Sequence, residues 1–399
     1  MTASDLLAQI AGTGRDSARG GYSRHAFDAA ELDLRTWFTE QAQRRDLDVE
    51  TDRNGNIWAW WGTPGPDAVV TGSHLDSVPG GGAFDGPLGV VSALDAVDTL
   101  RAKGFTPARP IALMVFAEEE GGRFGVPCLG SRLLTGAIDA DRARGLRDPD
   151  GMTLAEAAKR AGHDPERFGA DPAALARIGC FVELHVEQGR GLVDVDAPVA
   201  VGSTVIAHGR YRFSFAGQGN HAGATLLADR RDPMLPAAEV VAAARAAARR
   251  TADARATVGR LVPTPGGTNV IASTVDLWLD ARVPGDGRTH ALVEEITAAA
   301  REAAFREGCE VTVTEESYSD TVTFDAGLRD RMDGVLGGVP ALPTGAGHDA
   351  GILAGHVPSG MLYVRNPTGI SHAPEEFAEA SDVDTGAGEL ARVLENLAG

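Results

Sequence analysis

The sequence predicts an α/β protein in which a central mixed sheet flanked by helices is formed by a discontinuous main domain, residues 1–206 and 317–399, with an α+β (ferredoxin-like) domain inserted at 207–316. Three observations predict it. Buried-strand and amphipathic-helix patterns alternate through the first part, the arrangement of a sheet with functional loops at its strand ends. From about Ala207 the pattern changes to β-α-β-β-α-β order, that of a compact antiparallel unit. The first style then returns, in Gly-rich loops around His348 and His372.

Leu6 to Gln43 reads as mainly helical and polar, and Asn54 to Trp61 as a turn entering a strand. Val69 and Val70 end a buried strand, and the run from Thr71 to Asp85 leaves it: Thr-Gly-Ser-His-Leu-Asp-Ser-Val-Pro-Gly-Gly-Gly-Ala-Phe-Asp. Its glycines let the backbone turn tightly and approach a ligand. Val90, Val91, Leu94, Val97 and Leu100 fall at helical spacing, which predicts a helix from about Leu88 to Lys103. Pro110 to Phe116 is a second buried strand, and Leu133 to Leu175 reads as helical and charged. Ile178 to Gly189 is a third strand-like run, delivering His185 with Glu187 and Gln188 behind it. In the insertion, Tyr211, Phe213 and Phe215 alternate before the loop 217–224 and a helix from Pro236 to Arg250. Val275, Leu277, Leu279 and Ala281 alternate again, followed by a helix from Thr289 to Glu307 and a short strand at 311–313.

At 399 residues the chain exceeds one ordinary core, which agrees with two domains. A net charge of −19 argues against nucleic acid and anionic membrane as partners, since both need basic patches to neutralise phosphate. No apolar run approaches the length of a membrane span, and the N-terminus lacks the basic and apolar regions of a signal peptide, so a cytoplasmic protein is expected. Cys128, Cys180 and Cys309 are scattered and odd in number, which fits small buried hydrophobes better than a disulfide framework.

The chemistry-bearing residues gather at the predicted strand ends. His74 and Asp76 lie two apart, with Asp76 placed to orient His74, and Asp85 closes the same loop. Taken alone the pair fits a surface Gly-rich loop with a capping Asp better than a metal site, and the metal reading rests on partners elsewhere. Glu118, Glu119 and Glu120 follow the second strand, where three adjacent carboxylates repel unless a cation sits among them. With His185 and His372 they make a mixed carboxylate and imidazole set that suits Zn, Mn, Co or Ni better than Ca or Cu. Five ligands exceed one tetrahedral ion, and Asp85 could bridge two.

Five motifs, in order and spacing from about Asn54 to Glu376, resemble the hydantoinase/carbamoylase amidases of the di-metal M20-type peptidase superfamily. They are Gly-Ser-His-Leu-Asp-Ser-Val-Pro-Gly-Gly, Glu-Glu-Gly-Gly-Arg-Phe, Glu-Leu-His-Val-Glu-Gln-Gly, Gly-Asn-His-Ala-Gly-Ala and Asn-Pro-Thr-Gly-Ile-Ser-His-Ala-Pro-Glu. The resemblance implies a di-metal catalytic domain and a lid and dimerisation domain. His74 and His185 would hold one divalent ion, Glu120 and His372 the other, with Asp85 between them, Glu119 as general base and Asp76 behind His74. His221 would support the oxyanion from a partner subunit of a homodimer, and Arg282, Asn269, Gln188 and His348 would meet the substrate, a small ureido carboxylate. His185 favours the ureido-cleaving branch, because peptidase relatives usually carry an acidic ligand there. Arg123 to Ser131 and Val364 to Gly369 resemble the allantoate-type members, which makes allantoate the expected substrate. An N-carbamoyl-L-amino acid or β-ureidopropionate comes second, and a dipeptidase or aminoacylase activity last. One departure is Leu226-Leu227, where the family usually has Pro-Met.

Overall fold

The computed structural model describes residues 1–399. The chain divides into two compact units, Met1–Thr204 with Thr323–Gly399, and Val205–Val322. The first unit contributes β1 (Asp48–Thr51), β2 (Ile57–Trp61), β3 (Ala68–His74), β4 (Ile111–Phe116), β5 (Ile178–Val186) and β6 (Val199–Val205). The second carries β7 (His208–Ala216), β8 (Asn220–His221), β9 (Arg255–Thr264), β10 (Val270–Ile271), β11 (Thr274–Arg282) and β12 (Glu310–Ser319). The chain then returns through β13 (Val322–Thr323), β14 (Ala341–Thr344) and β15 (Ser359–Val364).

The large sheet runs β1-β2-β4-β3-β5-β15-β6-β13, with β14 beside β6. Its centre, β4-β3-β5-β15, is parallel, and antiparallel strands continue it on either side, so the sheet is mixed as expected. Strands β3 and β4 are buried along their whole length, which is why they read as continuous apolar runs. Helices α1 (Ala3–Ile10), α2 (Ala29–Gln43) and α3 (Pro87–Ala102) share an apolar core with these strands. Leu94, Val97 and Leu100 of α3 are fully buried in it.

Two stretches are less helical than their pattern suggests. Between α1 and α2 the chain is a Gly-rich loop, and Tyr22 within it exchanges two backbone hydrogen bonds with Gly81 (2.9 and 2.8 Å). Residues 133–175 form only short helices, because Gly136 and Gly145 end two of them and the caps Asp139, Thr153 and Asp171 start new ones.

In the second unit the four-stranded antiparallel sheet has the order β12-β7-β11-β9. Helices α4 (Met234–Arg250) and α5 (Asp286–Arg306) pack Val240, Ala244, Leu292 and Ile296 against Phe213, Phe215, Leu277 and Leu279. The second strand of the β-α-β-β-α-β order is β9, which alternation does not mark because none of its residues is fully buried. Among all helices, none is long and apolar enough to cross a membrane.

Helix α3 starts with Pro87 in its first turn, after Gly86 at φ 84°. A Cβ at Gly86 would lie 2.4 Å from the His74 ring, so only glycine lets the helix start this close to that imidazole. Gly86→Ala is therefore expected to lower the free energy of unfolding by about 2–4 kcal/mol, adding left-handed strain to overpacking, as read by urea denaturation.

Candidate metal centre

The parallel strands deliver the site at their carboxyl ends. His74 is the last residue of β3, Glu118 to Glu120 follow β4, and His185 is the penultimate residue of β5. His372 lies in the loop after β15, and Asp85 sits just ahead of α3. This is the crevice in which open α/β sheets bind ligands.

Asp85 stands at the centre. Its Oδ1 lies 3.5 Å from His74 Nε2 and 3.2 Å from His185 Nε2, and its Oδ2 lies 3.5 Å from His372 Nε2. His372 Nε2 is 3.2 Å from Glu120 Oε2. Two groups that could each hold a cation, His74–Asp85–His185 and Asp85–Glu120–His372, therefore share one carboxylate.

The imidazoles are oriented by carbonyl oxygens. His74 Nδ1 donates to the backbone oxygen of Asp76 at 3.0 Å, and His185 Nδ1 to that of Val186 at 2.9 Å. A carbonyl only accepts, so each ring, when neutral, turns its Nε2 lone pair toward Asp85. Both Nε2 atoms are buried and have no hydrogen-bond partner. Lone pairs aimed at a carboxylate oxygen repel it unless a proton or a cation stands between, and the imidazole and carboxylate donors suit a Zn- or Mn-like ion. Burial by itself would lower the His74 pKa, yet the carboxylates of Glu119, Asp85 and Asp76 raise it well above its ordinary value. Burial would likewise raise Asp85, but His185 and His74 hold it well below the usual carboxylate range.

Glu119 faces the same space. Its Oε2 is 3.6 Å from His74 Nε2, and burial drives its carboxyl well above the usual range. Asp76 acts by a different route from the one its spacing suggests. Its carboxylate is 3.7 Å from His74 Nδ1 and instead accepts the backbone N–H groups of Glu119 and Glu120, both at 3.1 Å. The side chain thus fixes the loop that carries Glu119 and Glu120, while its backbone oxygen orients the imidazole.

Cys128 is buried, as expected of a small hydrophobe, but it also has a polar task that the sequence pattern does not show. Its thiol donates to Glu119 Oε1 at 3.2 Å, and burial together with Glu119 keeps it protonated. The only local signal is its place nine residues beyond Glu119, at a left-handed φ of 54°.

Gln188 is hydrogen-bonded to the shared carboxylate. Its Nε2 donates to Asp85 Oδ2 at 2.7 Å and to Ser371 Oγ at 3.2 Å, and lies 3.4 Å from His372 Nε2. His348 packs its ring edge against His185, centroids 4.6 Å apart, and burial holds it well below the ordinary imidazole value, hence neutral.

In the second unit, His221 and Asn269 are neighbours: His221 pairs with Val270, and Ala222 N–H donates to the Asn269 oxygen at 3.0 Å. His221 Nδ1 accepts the N–H groups of Gly223 and Ala224 at 3.0 and 3.1 Å, which leaves Nε2 carrying the proton. Arg282 stands apart from this pair. Thr274, at the other end of β11, lies on the His221 side, and eight strand steps separate the two ends by about 26 Å. The Arg282 fork closes on Asp280, with Nε and Nη2 bonding the two oxygens at 2.7 and 2.9 Å.

If the shared carboxylate is what holds the cations, Mn2+ or Zn2+ at a hundred times Kd should stabilise chelated protein by about 2.7 kcal/mol, a rise in Tm of several degrees. Asp85→Asn should abolish most of that rise, measured by differential scanning calorimetry.

Comparison with known proteins gives the family. The model of Peptidase family M20/M25/M40 matches residues 70–396. The N-carbamoyl-L-amino acid amidohydrolase of Geobacillus stearothermophilus is 36% identical over 385 residues, 95% of this chain and 94% of its own. The ureidoglycolate hydrolase of Arabidopsis thaliana is 30% identical over 397 residues (96% and 83%), and the allantoate amidohydrolase of Bacillus subtilis 28% over 389 (96% and 94%). Among solved structures, a hydantoinase/carbamoylase family amidase from Burkholderia vietnamiensis superposes with a TM-score of 0.89 at 28% identity, covering 99% of this chain and 96% of that one. AtUAH in complex with (S)-hydroxyglycine superposes at 0.86 with 28% identity, covering 99% and 97%. The chain belongs to peptidase family M20/M25/M40, in its hydantoinase/carbamoylase branch.

Proposed function

We propose that this protein hydrolyses the ureido C–N bond of a small carboxylate substrate, with allantoate first, using two divalent cations, Zn2+ or Mn2+, with Co2+ or Ni2+ as alternatives. The observation that carries the reading is the division of the Asp85 oxygens between two ligand groups beside a buried carboxyl, Glu119. Cations held there would supply Lewis acidity to the ureido carbonyl and to the attacking water.

The chain's own residues then divide the work. Glu119 Oε2 takes a proton from the attacking water, and burial, which raises its carboxyl, makes it a stronger base than an exposed carboxylate. The Cys128 thiol holds the opposite oxygen, so the free one faces the reacting atoms. The water oxygen adds to the ureido carbon, the C–N bond breaks, and Glu119 passes its proton to the leaving nitrogen. The other product, a carbamate, decomposes to ammonia and carbon dioxide. His221, whose Nε2 carries the proton, is suited to donate to the developing oxyanion. Arg282, held by Asp280, is the residue for the substrate carboxylate, with Asn269, Gln188 and His348 as further polar contacts.

The distance between Arg282 and His221 along β11 supports a homodimer. One copy of the second unit cannot bring both to a single small substrate, whereas two copies can contribute one each. A second substrate reading, an N-carbamoyl-L-amino acid, is favoured by 36% identity to the enzyme named for it, against 28% to the allantoate amidohydrolase.

Glu119→Gln is expected to lower kcat by about 10²–10⁴-fold while cation binding persists. Ammonia release from allantoate, N-carbamoyl-L-amino acids and β-ureidopropionate, with free amine followed from an N-acetyl amino acid, tests the substrate. Turnover of the acetyl compound alone would sink the ureido reading. Glu119→Gln and His221→Ala chains, each inactive alone, should regain activity when refolded together if His221 serves the partner's site; mixtures that stay inactive would exclude that sharing.

A further inference from the structure

Glu376 belongs to neither ligand group, yet it is buried directly behind them. Its Oε1 accepts the backbone N–H groups of Phe84 and Asp85, both at 2.9 Å, across 292 and 291 residues of sequence. Its neighbours hold the same short segment. Ser371 Oγ lies 3.2 Å from Asp85 Oδ2, and the Phe377 ring packs edge-on to Phe84 with centroids 6.1 Å apart. The fit leaves no spare room: a Cβ on Gly82 would come within 2.2 Å of Glu376 Oε1 and 2.5 Å of its Cβ. The third glycine of the Gly80-Gly81-Gly82 run is therefore the seat of this carboxylate.

We infer that Glu376 is a positioning residue for the metal centre, setting the peptide planes at Phe84–Asp85 and with them the direction in which Asp85 offers its two oxygens. The inference rests on reading the two groups as cation sites. A carboxylate accepting two successive N–H groups makes charge-assisted bonds that fix both peptides. Its effect falls unequally on the two groups. His74 and His185 stand on central strands, and each ring is already tied to a backbone oxygen. His372 is an exposed loop residue at φ 58°, four positions before Glu376. The Asp85–Glu120–His372 group therefore depends on Glu376 most.

Calorimetric titration of chelated wild-type, Glu376→Ala, Glu376→Gln and Gly82→Ala proteins with Mn2+ tests this, together with the Tm of each before addition. Glu376→Ala should weaken one of the two binding events by about 10–100-fold and spare the other, as losses behind a ligand do. Gly82→Ala should reproduce that pattern, because its methyl displaces the carboxylate while leaving residue 376 intact. Glu376→Gln, which keeps an acceptor oxygen, should restore most of the affinity. Wild-type affinity in Gly82→Ala and Glu376→Ala would overturn the inference. So would an equal loss at both sites with a matching fall in Tm, or a Glu376→Gln protein as weak as the alanine variant. Should Glu376→Ala not fold, the glutamine and Gly82 variants decide. A wild type that takes up one ion would end the two-ion reading and leave Glu376 to be judged on that ion, since Asp85 serves both groups. A wild type that takes up none would overturn both.

Discussion

The Asp85 carboxylate is the constraint around which this fold is arranged. One oxygen must face two imidazoles and the other a third imidazole together with Gln188, within a few ångströms and out of water. Such a group is costly to bury unless its surroundings compensate it. The compensation comes from the histidines that strands β3 and β5 bring and from Gln188 and Ser371, which both donate to one of its oxygens. The glycines of the 80–86 run are tied to this geometry, because the His74 ring and the Glu376 carboxyl occupy the space that side chains at Gly86 and Gly82 would need.

The histidines need little besides the strands that carry them. A ring at a strand end can turn its Nδ1–H to a nearby backbone oxygen, and both His74 and His185 do so. That bond settles which nitrogen faces Asp85 without a dedicated side chain, and it frees Asp76 to organise the Glu119–Glu120 peptide groups. Glu119 and Glu120 are adjacent, and a single carboxylate gripping both their amides holds the two side chains on separate courses, one toward His74 and the other toward His372.

Much of this was legible in the sequence because each ligand sits in a local motif at the end of a recognisable strand. His74, Asp85, Glu120, His185 and His372 come from four short stretches, and apolar runs announce three of them. What stayed hidden depends on contacts between stretches. The bond of Asp76 to Glu119 spans 43 residues, that of Glu376 to Asp85 spans 291, and no periodicity encodes either. The Cys128 thiol was overlooked for another reason, since a buried cysteine that only packs and one that donates to a carboxylate look alike in sequence. Arg282 was legible as a fork of donors, but its engagement with Asp280 follows from a strand that places both on one face two residues apart.

The arrangement also explains why the branch of the family is easier to read than the substrate. The two candidate ligand groups and Glu119 lie in the first unit, at the ends of buried strands and in the loops beside them, and any ureido bond would present the same atoms to them. Discrimination among ureido acids has to come from what touches the rest of the molecule. The exposed residues of the second unit, among them Asn269, Leu226 and Leu227, stand on short ribbons and turns, where substitution costs little stability. Such positions drift without disturbing the fold, so overall identity follows the buried chemistry and says little about them. A chain can therefore be 36% identical to one named enzyme and 28% to another while the choice between their substrates rests on a handful of exposed side chains.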